Sequence, residues 1–187
     1  MTSKMYVEHG DIKYLDENLA ILGCYNQEDG SGYIHCLLES FHPTYVKTRS
    51  GNYRIYLAKS IRLGAIPEII KENYKPEDLT KYRPGQRNFY IENPYSVYTN
   101  ASSYGSPLRP ELLHYYANYL GVSYRLFDAN FDLIQQFKVE GCPYTNIFKP
   151  SDDEYHLIVR LRRSKRDDPP NTVRYSITDV IIPWIKQ

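Results

Sequence analysis

An α+β fold is predicted from three observations in the sequence. Apolar residues at helical spacing fill most of the first two thirds, and extended alternating stretches fill the last third. Elements segregated in this way point to α+β or to a layered sheet with helices. The 187 residues, 42% hydrophobic and 24% charged, suffice for one substantial core. No repeat, low-complexity tract or linker interrupts them, so residues 1–187 read as a single domain.

Residues 1–17 are polar with scattered apolar side chains and read as a surface N-terminal segment. The stretch "NLAILGCY", 18–25, predicts a short buried strand. "EDGSGYIHCLLESF", 28–41, predicts a tight turn running into a helix. Asp29, Gly30 and Ser31 are turn and cap residues. Ile34, Leu37, Leu38 and Phe41 follow the i, i+3, i+4, i+7 stripe. "HPTYVKTRS" reads as a loop, and Ser50 caps a second helix over roughly 51–64, with Tyr53, Tyr56, Leu57 and Ile61 on one face. Pro67 fits the first turn of a short third helix, "PEIIKENY". Residues 75–108 carry Pro76, Pro84, Pro94 and Pro107 and predict a long, ordered, mostly irregular segment.

Pro110 then opens the helix "RPELLHYYANYLG". Its stripe is Leu112, Leu113, Tyr116 and Leu120, and Gly121 ends it. "VSYRLFD" and "FDLIQQFKV" read as strands joined through Ala129-Asn130. "EYHLIVRLRR" and "TVRYSITDVII" form a last pair, joined by "SKRDDPPN".

Net charge is +1, so no whole-molecule field draws the chain to nucleic acid or anionic membrane. A basic hairpin tip, Arg160, Arg162, Arg163, Lys165 and Arg166, is the one feature that would grip a polyanion. Asp167 and Asp168 beside it favour a solvated hairpin instead. No apolar run approaches the ~20 residues of a membrane span, and the N-terminus has no apolar leader core, so an intracellular protein is expected. Cys24, Cys36 and Cys142 then read as reduced thiols. His9, His35, His42, His114 and His156 show no paired ligand spacing, and no phosphate or dinucleotide glycine motif occurs, so neither metal nor cofactor is expected. The acidic run Asp152-Asp153-Glu154 reads as a solvated turn. The 20 tyrosines are the unusual number, because Tyr is enriched where proteins touch. Tyr82, Tyr90, Tyr95, Tyr98 and Tyr104 crowd the 75–108 segment. Trp184 with Ile181, Ile182 and Ile185 makes 181–187 an apolar C-terminal tail. One or the other of these segments is expected to dock on another protein, the alternative being that both fold back on their own domain.

A loop that delivers the chain into a helix N-terminus is a place where enzymes put a nucleophile, since the backbone N–H groups stabilise an anion. Three ordered pieces here resemble the ovarian-tumour (OTU) cysteine proteases, which remove ubiquitin. "EDGSGYIHCLLESF" is similar to the D-G-x-C motif and its helix, "ELLHYYANYLGVSYRLFD" to a later helix and strand, and "NIFKPSDDEYHLIV" to the His-aromatic segment near the C-terminus. The resemblance spans roughly 20–160 and implies a small mixed sheet packed between helices, with Asp29, Gly32, Glu154 and His156 at the positions around the catalytic centre.

The family's nucleophile position is occupied here by Gly32, and the position fitting its histidine, just before Tyr155, by Glu154. Glycine has no group to attack with, and a carboxylate does not replace an imidazole near neutral pH. The resemblance therefore implies a non-enzymatic pseudoprotease. OTU-like domains are common in large DNA viruses, which implies a structural or assembly protein, such as a minor capsid or virion component, in host cytoplasm or virion. Two alternatives stay open: an active deubiquitinase with a displaced Cys36/His156 dyad, and a module that binds ubiquitin without cutting it.

Overall fold

The computed structural model describes residues 4–8, 12–23, 29–47, 51–74 and 93–185. The fold is α+β: six helices and an eight-stranded mixed sheet among the described residues. The strands are β1 (Lys4–Glu8), β2 (Ile12–Tyr14), β3 (Leu19–Gly23), β4 (Ser123–Phe127), β5 (Leu133–Phe137), β6 (Tyr144–Ser151), β7 (Glu154–Arg162) and β8 (Thr172–Ser176). The helices are α1 (Gly32–Phe41), α2 (Pro43–Lys47), α3 (Gly51–Gly64), α4 (Ile66–Asn73), α5 (Pro94–Ser102) and α6 (Leu113–Leu120). A 3-10 turn, Pro110–Leu112, leads into α6, and Gly121 at φ 71° ends it.

β7 is the hub of the sheet. Along one edge it pairs antiparallel with β3, Leu19 opposite Arg160 and Gly23 opposite His156. Its other edge is shared end to end. β6 takes the first half, with Ile147 opposite Leu157, and β8 takes the second, with Arg160 opposite Ser176. The sheet continues through β6 to β4, the one parallel pair among the described residues, and on to β5; beyond β8 lies β1. β2 is added outside β3.

Side chains alternate across each strand, so the sheet has two chemically distinct faces. Tyr155, Leu157 and Val159 of β7 point to the helices and join Ala20, Leu22, Tyr124, Ile147 and Tyr175 in the main core. Ile158, Ile21, Phe127 and Phe148 point the other way. A sheet packed between helices was expected. Among the described residues the helices lie on one face, and the second is covered by chain without helix, through Phe131, Ile182 and Ile185.

α1 lies against β7 and β6. Every residue from Gly32 to Ser40 is buried, so the helix is held by burial all round. Phe41, placed on the buried stripe by spacing, is instead exposed, because the chain leaves the helix at His42. α3 differs more. Its predicted stripe placed Tyr56 inward, yet Tyr56 is exposed, and the buried line is Arg54, Ala58 and Arg62, at i, i+4 and i+8.

Other expectations are corrected by local chemistry. The "HPTYVKTRS" loop contains α2, whose first turn is tied by His42 Nδ1 accepting the Tyr45 N–H at 3.1 Å. The irregular 75–108 segment contains α5. Pro94 occupies its first turn, and the Asn93 side chain accepts the Ser96 N–H at 3.2 Å, so this proline starts a helix. Residues 75–92, with Tyr82 and Tyr90, lie outside the described residues, as do Cys24, His9 and Ser50. The N-terminal segment contributes the strands β1 and β2 to the sheet. "IIPWIKQ" folds back over its own sheet as far as it is described. Ile182 is buried, and the Trp184 ring meets Phe127 and Phe131 at 6.0 and 5.4 Å.

Candidate functional site

The turn into α1 is fixed from two sides. Asp29 Oδ1 accepts the Ser31 N–H at 2.8 Å. The Gly105 N–H donates to the Asp29 carbonyl at 3.0 Å and the Leu108 N–H to the Gly30 carbonyl at 2.9 Å, which clamps the turn to the loop after α5. Gly30 sits at φ 80°, and a Cβ there would lie 2.1 Å from the Ser106 carbonyl oxygen. Only glycine meets both demands.

Arg62 is fully buried beside this turn. Its guanidinium donates to the carbonyls of Asp29, Asn100, Ala101, Ser103 and Ser106 at 2.8–3.0 Å and to Ser31 Oγ at 3.3 Å. It thereby caps the C-terminal carbonyls of α5 and binds them to the start of α1. Burial pulls its pKa down, and the nearby Tyr116, Tyr33 and Asp29 oppose that.

A chain of polar groups runs from the turn into the helix side. The Asp29 carboxylate lies 3.1 and 3.3 Å from His35 Nε2, and His35 Nδ1 lies 2.6 Å from the Tyr45 hydroxyl. The carboxylate takes the imidazole N–H at Nε2, leaving Nδ1 to accept from Tyr45. Arg54 stacks over the Tyr45 ring at 4.5 Å and pairs with Glu39 at 3.3 Å. Tyr175 donates to the other Glu39 oxygen at 3.2 Å. All six side chains are buried. Asp29 and His35 have the geometry that orients a general base, but the imidazole's second nitrogen faces a tyrosine hydroxyl sealed from solvent.

Gly32 is the first residue of α1 and is buried. Its neighbour Tyr33 donates to the Arg109 carbonyl at 3.0 Å and meets the Tyr155 ring edge-on at 5.2 Å. Burial raises the pKa of both phenols well above the usual range. Cys36 is sealed in the same core.

Glu154 and His156 lie elsewhere. They alternate with Tyr155 and Leu157, and so project from the sheet face away from α1, with His156 Nε2 3.6 Å from Glu154 Oε2. The structure therefore brings Asp29 and Gly32 together at the start of α1. It does not bring Cys36 to His156, which lie on opposite faces. Burial lowers the His156 pKa, and Glu154 partly restores it.

The basic hairpin is largely neutralised at its base. Arg160 pairs with Asp179 at 3.2 Å, Arg162 pairs with the same carboxylate, and Ser176 bonds both Arg162 and Asp179. Tyr95 and Tyr98, 78% and 52% exposed, project from α5, and Tyr104 lies beyond its end with Lys59 5.1 Å from the ring centre. Trp184 is partly exposed. Among the described residues no group of three or more His, Cys, Asp and Glu side chains could hold a metal ion, and no helix is long and apolar enough to cross a membrane.

Sequence reading missed His35 with Tyr45, and Arg62 with Arg54. The arginines left a signal, the i, i+4, i+8 line through Ala58. The His35 contact joins residues across a helix start and a separate helix, and no spacing rule marks it. Comparison with protein-family models, curated proteins and solved structures finds no significant match for this chain.

Proposed function

We propose that this chain is a non-enzymatic, OTU-like pseudoprotease that serves as a protein-binding scaffold, a structural or assembly component of the virion type its sequence resemblance implies. One observation carries the non-enzymatic half: Cys36 and His156 occupy opposite faces of the sheet, with the thiol sealed in the core. A cysteine protease needs thiolate and imidazole within hydrogen-bond reach at a site the substrate can enter.

The binding half is supported by α5 and the loop that follows. "NPYSVYTNASSYGS", 93–106, is rich in Tyr, Ser and Asn. Tyr gives large, rigid contact area at low entropic cost, and Ser and Asn give adaptable hydrogen bonds. The stretches 51–66 and 93–110 contain no Asp or Glu, while Lys59 and Arg109 add positive charge. A protein partner presenting carboxylates fits such a surface.

The test is incubation with ubiquitin carrying a C-terminal electrophile, read by intact-mass spectrometry. No adduct is expected. An adduct at Cys36, lost in Cys36→Ser and in His156→Ala, overturns the reading in favour of an active deubiquitinase. Non-covalent retention of ubiquitin that survives both substitutions and is lost in Tyr98→Ala makes ubiquitin itself the partner.

A further inference from the structure

The face of the sheet away from the helices carries a cavity of about 360 Å3, lined by Lys13, Ile21, Gly23, Phe148, Glu154 and His156 among others. Its origin is legible in the strand register. Gly23 lies opposite His156 across the β3–β7 pair, and Ile21 lies opposite Ile158. Gly23 has no side chain to fill the space beside His156, so the face is indented there. Ile21 and Phe148 give the indentation an apolar floor. Lys13, opposite Ile21 on β2, stands at one wall. Glu154 and His156, on β7, stand at the other.

β2 and β7 are separated by β3, so the cationic and anionic walls are two strand spacings apart, roughly 10 Å. A ligand entering here meets an apolar surface flanked by a cation on one side and a carboxylate on the other. An occupant with a single charge gains an ion pair at one wall only. A zwitterion pairs with both, its carboxylate toward Lys13 and its ammonium toward Glu154, with its apolar part on Ile21 and Phe148. One or two residues of peptide chain bridge the gap once the flexible Lys13 stem reaches inward. Sites of this size with an apolar floor and a few polar groups are the usual form of small-molecule sites.

We propose that this cavity binds a small zwitterion with an apolar side chain, a free amino acid or a short peptide. His156, half-buried at the wall, stands beside the Glu154 carboxylate, its Nε2 3.6 Å from Oε2. The site is separate from the α1 turn, on the opposite face of the sheet, and does not rest on the pseudoprotease reading.

The experiment titrates the 15N-labelled full chain with four probes: L-leucine, L-leucyl-L-leucine, isoamylamine and 4-methylpentanoate. Backbone and imidazole shifts of Lys13, Gly23 and His156 report occupancy of this cavity. The zwitterions are expected to bind about two- to fivefold tighter than either singly charged probe, the scale of one exposed ion pair. Leucine against the dipeptide separates the free amino acid from a peptide as the source. Glu154→Gln is expected to reduce leucine to the affinity of the carboxylate probe, and Lys13→Met to that of the amine. Gly23→Val fills the indentation and abolishes binding of all four. Absence of binding at these residues, equal affinity for charged and zwitterionic probes, or binding unchanged in the two wall variants overturns the proposal. The wall variants are at exposed positions, so they keep the test valid if Gly23→Val does not fold.

Discussion

His35 and His156 lie on opposite sides of one sheet and have opposite circumstances. His35 is fully buried among the helices with both ring nitrogens engaged, one by Asp29 and one by Tyr45. His156 is half-buried on the far face, beside Glu154 and an indentation open to solvent. On the helix side Asp29, His35, Tyr45, Arg54, Glu39 and Tyr175 are each matched by a partner, since an unmatched polar atom there keeps its full desolvation cost. On the far side His156 pairs with Glu154 at the edge of solvent. The difference teaches that a titratable residue's surroundings decide whether it is locked into the fold or keeps access to solvent.

Four measurements break or sharpen this contrast. The largest effect is expected on the helix side from Arg62→Met, which removes the donor shared by five carbonyls and Ser31 Oγ. The loss is about 4 kcal/mol by denaturant titration, and a loss below that of a variant on the far face would break the comparison. Next comes His35→Leu, which leaves the Asp29 carboxylate with only the Ser31 N–H and costs about 3 kcal/mol. Tyr45→Phe tests the same chain more gently, at about 1 kcal/mol.

The smallest effect concerns pH on the far side. Burial holds the His156 pKa below its ordinary 6.5. Below pH 6.5 the unfolded chain therefore takes up the proton before the folded one does. Stability falls as pH drops from 6.5 toward the folded value and is regained as pH rises. His114, also lowered by burial, acts in the same direction. Melting temperatures followed from pH 7 to pH 5 should decline less steeply in His156→Gln, with the His114 share remaining. Glu154→Gln should make the decline steeper, because Glu154 stabilises the protonated imidazole. Identical slopes in all three proteins would show that His156 is no more constrained in the fold than in the unfolded chain.

Much of the fold was legible. α1, α6, β4, β5, β7 and β8 follow from periodicity, because burial of one stripe or one face writes itself into spacing. β6 did not stand out, since "YTNIFKPS" carries Lys149 and Pro150 on the last residues of an otherwise buried strand. α5 was hidden because Pro94 and the polar run after it read as loop, although a proline in the first turn is a helix start. α3 misled for a different reason. Tyr56 fits an inward stripe by hydrophobicity, but the neighbouring elements present carbonyls and a carboxylate, and these demand Arg62 and Arg54. The candidate site was legible in its local part, the turn at Asp29–Ser31 and Gly32 at the helix start. The partners of that turn come from 62 and 100–108, and the separation of Cys36 from His156 depends on which way a strand faces.

The forked pairing of β7 sets an order of events during synthesis. β3, near the start of the chain, can pair with β2 at once but meets β7 only when residues 156–160 exist, and β1 waits for 172–176. At ~5–20 residues per second the β2–β3 hairpin and β1 wait for these partners for on the order of ten seconds. The helices and the β4–β5 hairpin carry closer pairings and can gather before the sheet closes. β7 then enters as the keystone between β3 and β6, both already made, and β8 follows to complete its edge and to receive β1.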